Sequence, residues 1–226
     1  MLSHEPSHSD GPTSIHGQRA ICIVSLGAKI MTPEYFATLL SYTKQRDWTL
    51  QLILLDTMEE ANLKFLELGN LVGIDETIAL RCKEIEDFVQ VHSSEDPASI
   101  SSVRFSLLAT AANFSSYAKA VKSCFESNKH FQNLCLHQTF RNLHPRLVRV
   151  GVRSQRNDTV RCLVDYLLDE ISIKLFVGSE SLADIEIAPM PEMKVMEDLY
   201  SGRFPELRHL CVSRLNFVIV RQSQGP

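Results

Sequence analysis

Two short apolar runs near the amino terminus constrain this chain more than anything else in it: Ala20-Ile-Cys-Ile-Val-Ser25 and Leu50 to Leu55. A continuous apolar run of that length, bounded by turn signals, reads as a strand buried on both faces, the kind found in parallel sheets. Each run is followed by a helix signal. After the first, Thr32 caps, Pro33 suits the first helical position and Glu34 favours the positive helix end, so a helix is expected to about Gln45. After the second, Asp56-Thr57, then Glu59, Glu60 and the Leu spacing, predict another helix to about Leu68. The order β-α-β-α implies right-handed crossovers and a doubly wound, mostly parallel sheet flanked by helices, whose ligands sit beyond the carboxyl ends of the strands. Ser25 and Asp56 both stand at such ends.

Downstream, the pattern predicts helices from Ile74 to about Val91, Tyr117 to about Glu126, Phe131 to about Val150, Val160 to Phe176 and Glu192 to Tyr200. Short strands are expected at Val103–Leu107, Ile185–Ile187 and Leu215–Val220. With 226 residues, 44% of them apolar, the chain fits one domain, assigned to 18–222. Residues 1–17 mix His, Ser, Pro and Gly with little to bury and are expected to form a disordered tail. His4, His8 and His16 in that tail lack Cys partners or a scaffold, and no metal site is expected.

The net charge of −4 makes no general case for nucleic acid, but its distribution does. Between Lys119 and Arg161 nine bases face only Glu126 and Asp158, a stretch able to meet a polyanion. Six widely spaced cysteines without a CxxC pair read as reduced thiols in a cytoplasmic protein. No apolar run reaches the roughly 20 residues that span a bilayer, and no signal pattern is visible, so a soluble protein is expected.

Two places carry residues suited to chemistry. Ser25 lies where a strand gives way to a turn with Gly27, which presents a hydroxyl while leaving backbone N–H groups nearby. Taken alone, a serine there is more often a cap than a nucleophile, and Ile23 in place of the first glycine excludes the G-x-S-x-G elbow. In the apolar helix around Asp165-Tyr166-Leu-Leu-Asp169-Glu170, Tyr166 and Glu170 are four apart and share a face. A phenol and a carboxylate placed so can hold an ammonium group and move protons; the plainer alternative is a core aromatic beside a solvated acid.

Together these segments resemble one family. Ile23-Val-Ser25-Leu-Gly27, followed by Tyr35-Phe36, is similar to the nucleophile region of cyclodipeptide synthases, and Tyr166-x-x-x-Glu170 resembles their downstream pair. Looser likeness in the same order comes from Leu54-Leu55-Asp56-Thr57, Tyr117 and the closing Phe217-Val-Ile-Val220, over about residues 20 to 221. The resemblance implies a single Rossmann-like domain similar to the catalytic domain of class I aminoacyl-tRNA synthetases, without ATP-dependent activation. In keeping with that, the chain has no HIGH-like or KMSKS-like motif, Walker loop or G-x-G-x-x-G. It departs from the family in two places. Ala28 stands three residues after the serine where one branch has asparagine, which groups the chain with the other branch. Around Glu186-Ile-Ala188-Pro189, where members usually carry a tyrosine, there is none.

The activity so implied joins two aminoacyl-tRNAs into a cyclic dipeptide by ping-pong catalysis through an aminoacyl-serine at Ser25, with no cofactor and no metal, in a monomer. Tyr166 and Glu170 would hold the substrate ammonium and assist proton transfer, and Tyr117 would add a hydrogen bond. Ile21, Ile23 and Ile53, with Ile173 on the later helix and Gly27 and Ala28 in the turn, would line the first aminoacyl pocket. Contacts to tRNA are expected from Lys119, Lys122, Arg141, Arg146, Arg149, Arg153 and Arg156. Two rival readings are a serine hydrolase or acyltransferase acting on another ester and a non-catalytic module that binds RNA or protein.

Overall fold

A computed structural model describes residues 17–26, 28, 30–58, 73–150 and 156–221. Residues 1–16 of the expected tail, Gly27, the helix expected from Glu59 to Leu68, and Arg153 lie outside the described residues. Five strands form one sheet in the order β3-β2-β1-β4-β5: β1 Arg19–Val24, β2 Thr49–Leu54, β3 Ile100–Arg104, β4 Ile185–Ala188 and β5 Asn216–Ile219. Every pairing among them is parallel. The chain order reverses at β1, which is flanked by β2 on one side and β4 on the other.

Helix α1 (Pro33–Lys44) follows β1 and starts as its sequence dictates: the Thr32 side chain accepts the Tyr35 N–H at 3.3 Å, with Pro33 and Glu34 in the first turn. Helix α2 (Ile74–Ser93) opens on Gly73 in a left-handed conformation, φ 94°, which glycine adopts without steric cost. Next come a short α3 (Phe105–Leu108), α4 (Phe114–Ser127), α5 (Lys129–Val150), α6 (Arg156–Ser179) and α7 (Lys194–Tyr200), then a 3₁₀ helix at Pro205–Leu210.

Strand alternation sorts the core into two layers. Ala20, Cys22 and Val24 pack with Leu50, Leu52, Leu54, Tyr35, Phe36, Leu39 and Ile85, so α1 and α2 cover one face. Ile21, Ile53 and Leu55 pack with Val121, Leu167, Ile171, Phe176 and Met196, so α4 and α6 cover the other. On β4 the same rule sends Ile185 and Ile187 to the first face and leaves Glu186 and Ala188 for the second.

The expected strand at Val103–Leu107 is corrected: the strand ends at Arg104, and Phe105–Leu108 is helical. Asp56 is the cause. Its Oδ1 accepts the Ser106 N–H at 2.9 Å and its Oδ2 the Ser106 hydroxyl, so a carboxylate at the end of β2 caps the helix that starts at the end of β3. All six cysteines are free thiols. Among the described residues no helix is long and apolar enough to cross a membrane.

Candidate active site

Ser25 directly follows β1, and β1 pairs with β4 so that Ile21 lies opposite Glu186. Ile21 faces the α4/α6 layer and Ile23 packs against the same cluster, so the alternation continued by one residue points Ser25 to that side too. Helix α6 runs against the strands. Just past its end, the Asp184 N–H donates to the Arg19 carbonyl at the start of β1, and Arg19 also bonds the Ser181 carbonyl. The amino-terminal turns of α6 therefore rise toward the carboxyl ends of the strands.

The heights of the two motifs can be compared from a shared reference point. Lys174 on α6 meets Glu186 at 2.6 Å, level with Ile21. From there Ser25 is four strand residues up, about 13 Å. Tyr166 is two helical turns up, about 12 Å. Glu170 lies between, its Oε1 3.4 Å from Lys174 Nζ. By this rise Ser25 and Tyr166 come to similar heights above that point, with Glu170 about 6 Å up, one turn lower on the same helix. Tyr166 and Glu170 are both partly buried, as befits groups at the rim of a core.

Tyr117 lies on α4. Its hydroxyl donates to Glu180 Oε1 at 3.1 Å, beside Ser181 and the start of β1, and its ring meets Phe176 edge-on. Burial pushes the Tyr117 phenol up, and its bond to Glu180 adds to the shift. Through that bond Tyr117 ties α4 to the turn after the end of α6.

Of the expected pocket residues, Ile21, Ile53 and Ile173 are closed over in the core, while Ile23 is half-buried at its upper edge with Tyr166. The three therefore form a floor beneath Ile23. Ala28 tightens the turn after Ser25, its N–H donating to the Ser25 carbonyl at 3.1 Å. Glu186 and Ala188, the two candidates for the place where a tyrosine is usual in the family that the sequence resembles, both belong to β4.

Reasoning from sequence missed Lys174. It is 5% exposed and ion-paired to both Glu186 and Glu170. Burial works against its charge, but the two carboxylates outweigh that and hold the ammonium above the usual lysine range. A readable signal was present: Lys174 is four residues after Glu170 and eight after Tyr166, a lysine on the buried face of an apolar helix. Its partner Glu186 was noted in the sequence, and the pairing supplies the reason that a carboxylate can sit on a core face.

Lys119, Lys122 and Arg141 are exposed, and Lys122 Nζ lies 3.8 Å from Asp169, the neighbour of Glu170. The basic surface of α4 thus adjoins the helix that carries the pair. Arg146 and Arg149 are on α5 and Arg156 opens α6, their backbone alone being described. Among the described residues no group of His, Cys, Asp or Glu is placed to hold a metal ion.

Neither protein-family models nor curated proteins match the sequence. Solved structures do match it in shape. A cyclodipeptide synthase from Fluoribacter dumoffii superposes with a TM-score of 0.69 at 19% identity, covering 90% of each chain. The chain has the cyclodipeptide synthase fold. One such synthase, from Candidatus Glomeribacter gigasporarum and solved bound to Phe-tRNAPhe, gives a TM-score of 0.62 at 18% identity over 93% of this chain and 90% of its own. A Mycobacterium tuberculosis structure (TM-score 0.64, 12% identity, 90% and 84% covered) ties cyclodipeptide synthases to type I tRNA synthetases. In that fold β1 is the strand at which the order reverses, so Ser25 stands at the switch point where open α/β sheets bind their ligands.

Proposed function

We propose that this chain is a tRNA-dependent cyclodipeptide synthase, of the branch without asparagine three residues after the nucleophile. The observation that carries the reading is a cyclodipeptide synthase fold in which Ser25 directly follows β1, the strand at the switch point, while Tyr166 and Glu170, about 140 residues away in sequence, ride on the helix that covers one face of that sheet. The neighbour solved with Phe-tRNAPhe supports aminoacyl-tRNA as the substrate, and the basic surface next to Asp169 suits its backbone.

In this reading Ser25 Oγ attacks the ester carbonyl of the first aminoacyl-tRNA, and the ribose hydroxyl leaves with its proton. A neutral serine is a weak nucleophile near pH 7, so the reactive ester and fixed positioning supply much of the acceleration. For the dipeptide to stay on the enzyme, the amine of the serine-bound residue must attack the second ester. The new terminal amine then attacks the serine ester, closing the ring and freeing Ser25. Each amine must shed a proton first. Glu170 accepts it, and the Tyr166 hydroxyl orients the nitrogen. The enzyme works as a monomer in the cytoplasm, without cofactor or metal, and Ile23 above its apolar floor meets the first side chain.

Expression in bacteria followed by mass spectrometry of the medium tests the proposal. New 2,5-diketopiperazine masses are expected from the wild type and none from Ser25→Ala, with both proteins melting alike because the hydroxyl lies at the edge of the core. In lysate, ribonuclease should stop formation. Product that survives ribonuclease, or undiminished output from Ser25→Ala, would overturn the reading.

A further inference from the structure

The Glu170–Lys174–Glu186 cluster carries two negative charges and one positive, held between α6 and β4. Lys174 and Glu186 are almost wholly buried, whereas Glu170 is the partly exposed member, on the side toward Ser25 and Tyr166. A buried ion pair seldom stabilises a fold more than well-packed apolar residues of the same volume. Leucines at both positions would serve packing on this face, which is otherwise apolar around them. What the pair provides instead is a fixed cation beneath one carboxylate oxygen.

We infer that Lys174 is a positioning residue for Glu170, with Glu186 as the counter-charge that lets a lysine be buried there. This rests on the reading of Glu170 as the group that holds the substrate ammonium. Lys174 ties down Oε1 of Glu170, fixing the side chain and leaving Oε2 to face the substrate. The net charge of −1 is then completed by the substrate ammonium, giving two cations and two anions at the moment of binding. Glu186 also separates the functions: its own charge is consumed by Lys174, so it does not compete with Glu170 for the ammonium.

Among the described residues, few groups face the cluster. Cys22 on β1 lies behind Glu186, its thiol pushed up to about 12 chiefly by burial and then by that carboxylate. Tyr200 on α7 feels both Glu186 and Lys174, but burial is the main cause that raises its phenol. Glu192, after β4, is neutralised by Arg214 at 2.6 Å. None of these offers Glu170 a second cation.

Three variants test the inference: Lys174→Met, Glu186→Gln and the two combined. Lys174→Met alone strands two carboxylates and should melt well below the wild type. The double variant removes one charge of each sign at similar volume and should recover most of that melting temperature. Its kcat should nevertheless stay about a hundredfold down, the scale of a misplaced catalytic group, with KM for aminoacyl-tRNA little changed. Glu186→Gln, which leaves Lys174 to Glu170 alone, should keep most of the wild-type kcat. Wild-type kcat in the double variant would overturn the inference. A separate arm needs no activity: the Lys174 Nζ signal in ¹⁵N-lysine-labelled protein, assigned by its loss in Lys174→Met, should shift in Glu170→Gln. An unmoved signal overturns the coupling. If the wild type makes no cyclic dipeptide, the proposed function fails while this arm still reports on the cluster.

Discussion

On one side of β1, Ala20, Cys22 and Val24 meet Leu50, Leu52 and Leu54 under Tyr35, Phe36 and Leu39, and the Tyr35 hydroxyl is taken up by the Val220 carbonyl. On the other side, Ile21 and Ile23 lead to Ser25 past a lysine and two glutamates. Alternate residues of the same six-residue strand thus build an apolar layer and a layer organised around charge. The first layer, among the described residues, is built of apolar side chains, tyrosines and two buried thiols. The second accepts Lys174 because Glu186 and Glu170 surround it, and so can present a carboxylate at its upper rim.

The sharpest way to break this contrast is at Glu170. Glu170→Gln keeps volume and helix propensity but removes the charge that meets the ammonium, and activity should fall on the order of 10²–10⁴-fold while melting changes little. Tyr166→Phe should also slow turnover, and the double variant should lose less than the two losses combined if both serve one nitrogen. Product assays of the three proteins alongside melts decide it. Full activity in Glu170→Gln would return the pair to a packing role.

A change on the apolar face should do the opposite. Leu52 is fully buried, so Leu52→Ala should cost about 2–5 kcal/mol of stability. Activity per folded molecule should stay at the wild-type level. Denaturant melts with activity normalised to folded protein measure both, and a turnover defect in the folded fraction would show that the two layers are coupled.

How far the sequence announced this contrast depends on the reach of each signal. β1 and β2 were legible because a continuous apolar run has few other destinies, and the Thr32-Pro33-Glu34 start carries its own capping chemistry. The extent of β3 was not, because Ser101 and Ser102 break the apolar pattern on an edge strand and the helix after it depends on Asp56, 50 residues away. Tyr166 and Glu170 announced a shared face through spacing alone. The Lys174–Glu186 contact needed α6 and β4 to be brought together, and only the folded chain shows that Glu180 takes the Tyr117 hydroxyl.

The smallest effect is expected in the basic stretch of sequence. Replacing Arg146, Arg149 and Arg153 together with Ala should raise KM for aminoacyl-tRNA and leave kcat nearly intact. The salt dependence of KM should flatten by about one slope unit for each phosphate that is no longer neutralised. Initial rates over a salt series measure this, and an unchanged KM and slope would move the tRNA surface elsewhere.

The position of β1 also sets the order in which the molecule can be made. Its neighbour β2 follows within 30 residues, but the partner on its other side arrives only with Asp184 and Ile185, 165 residues downstream of Arg19 and Ala20. During synthesis a half-sheet of β1, β2 and β3 must wait with the edge of its most apolar strand uncovered. Pairing across so long a stretch of sequence makes closure slow, and the waiting edge is the place where a nascent or truncated chain would pair with another copy.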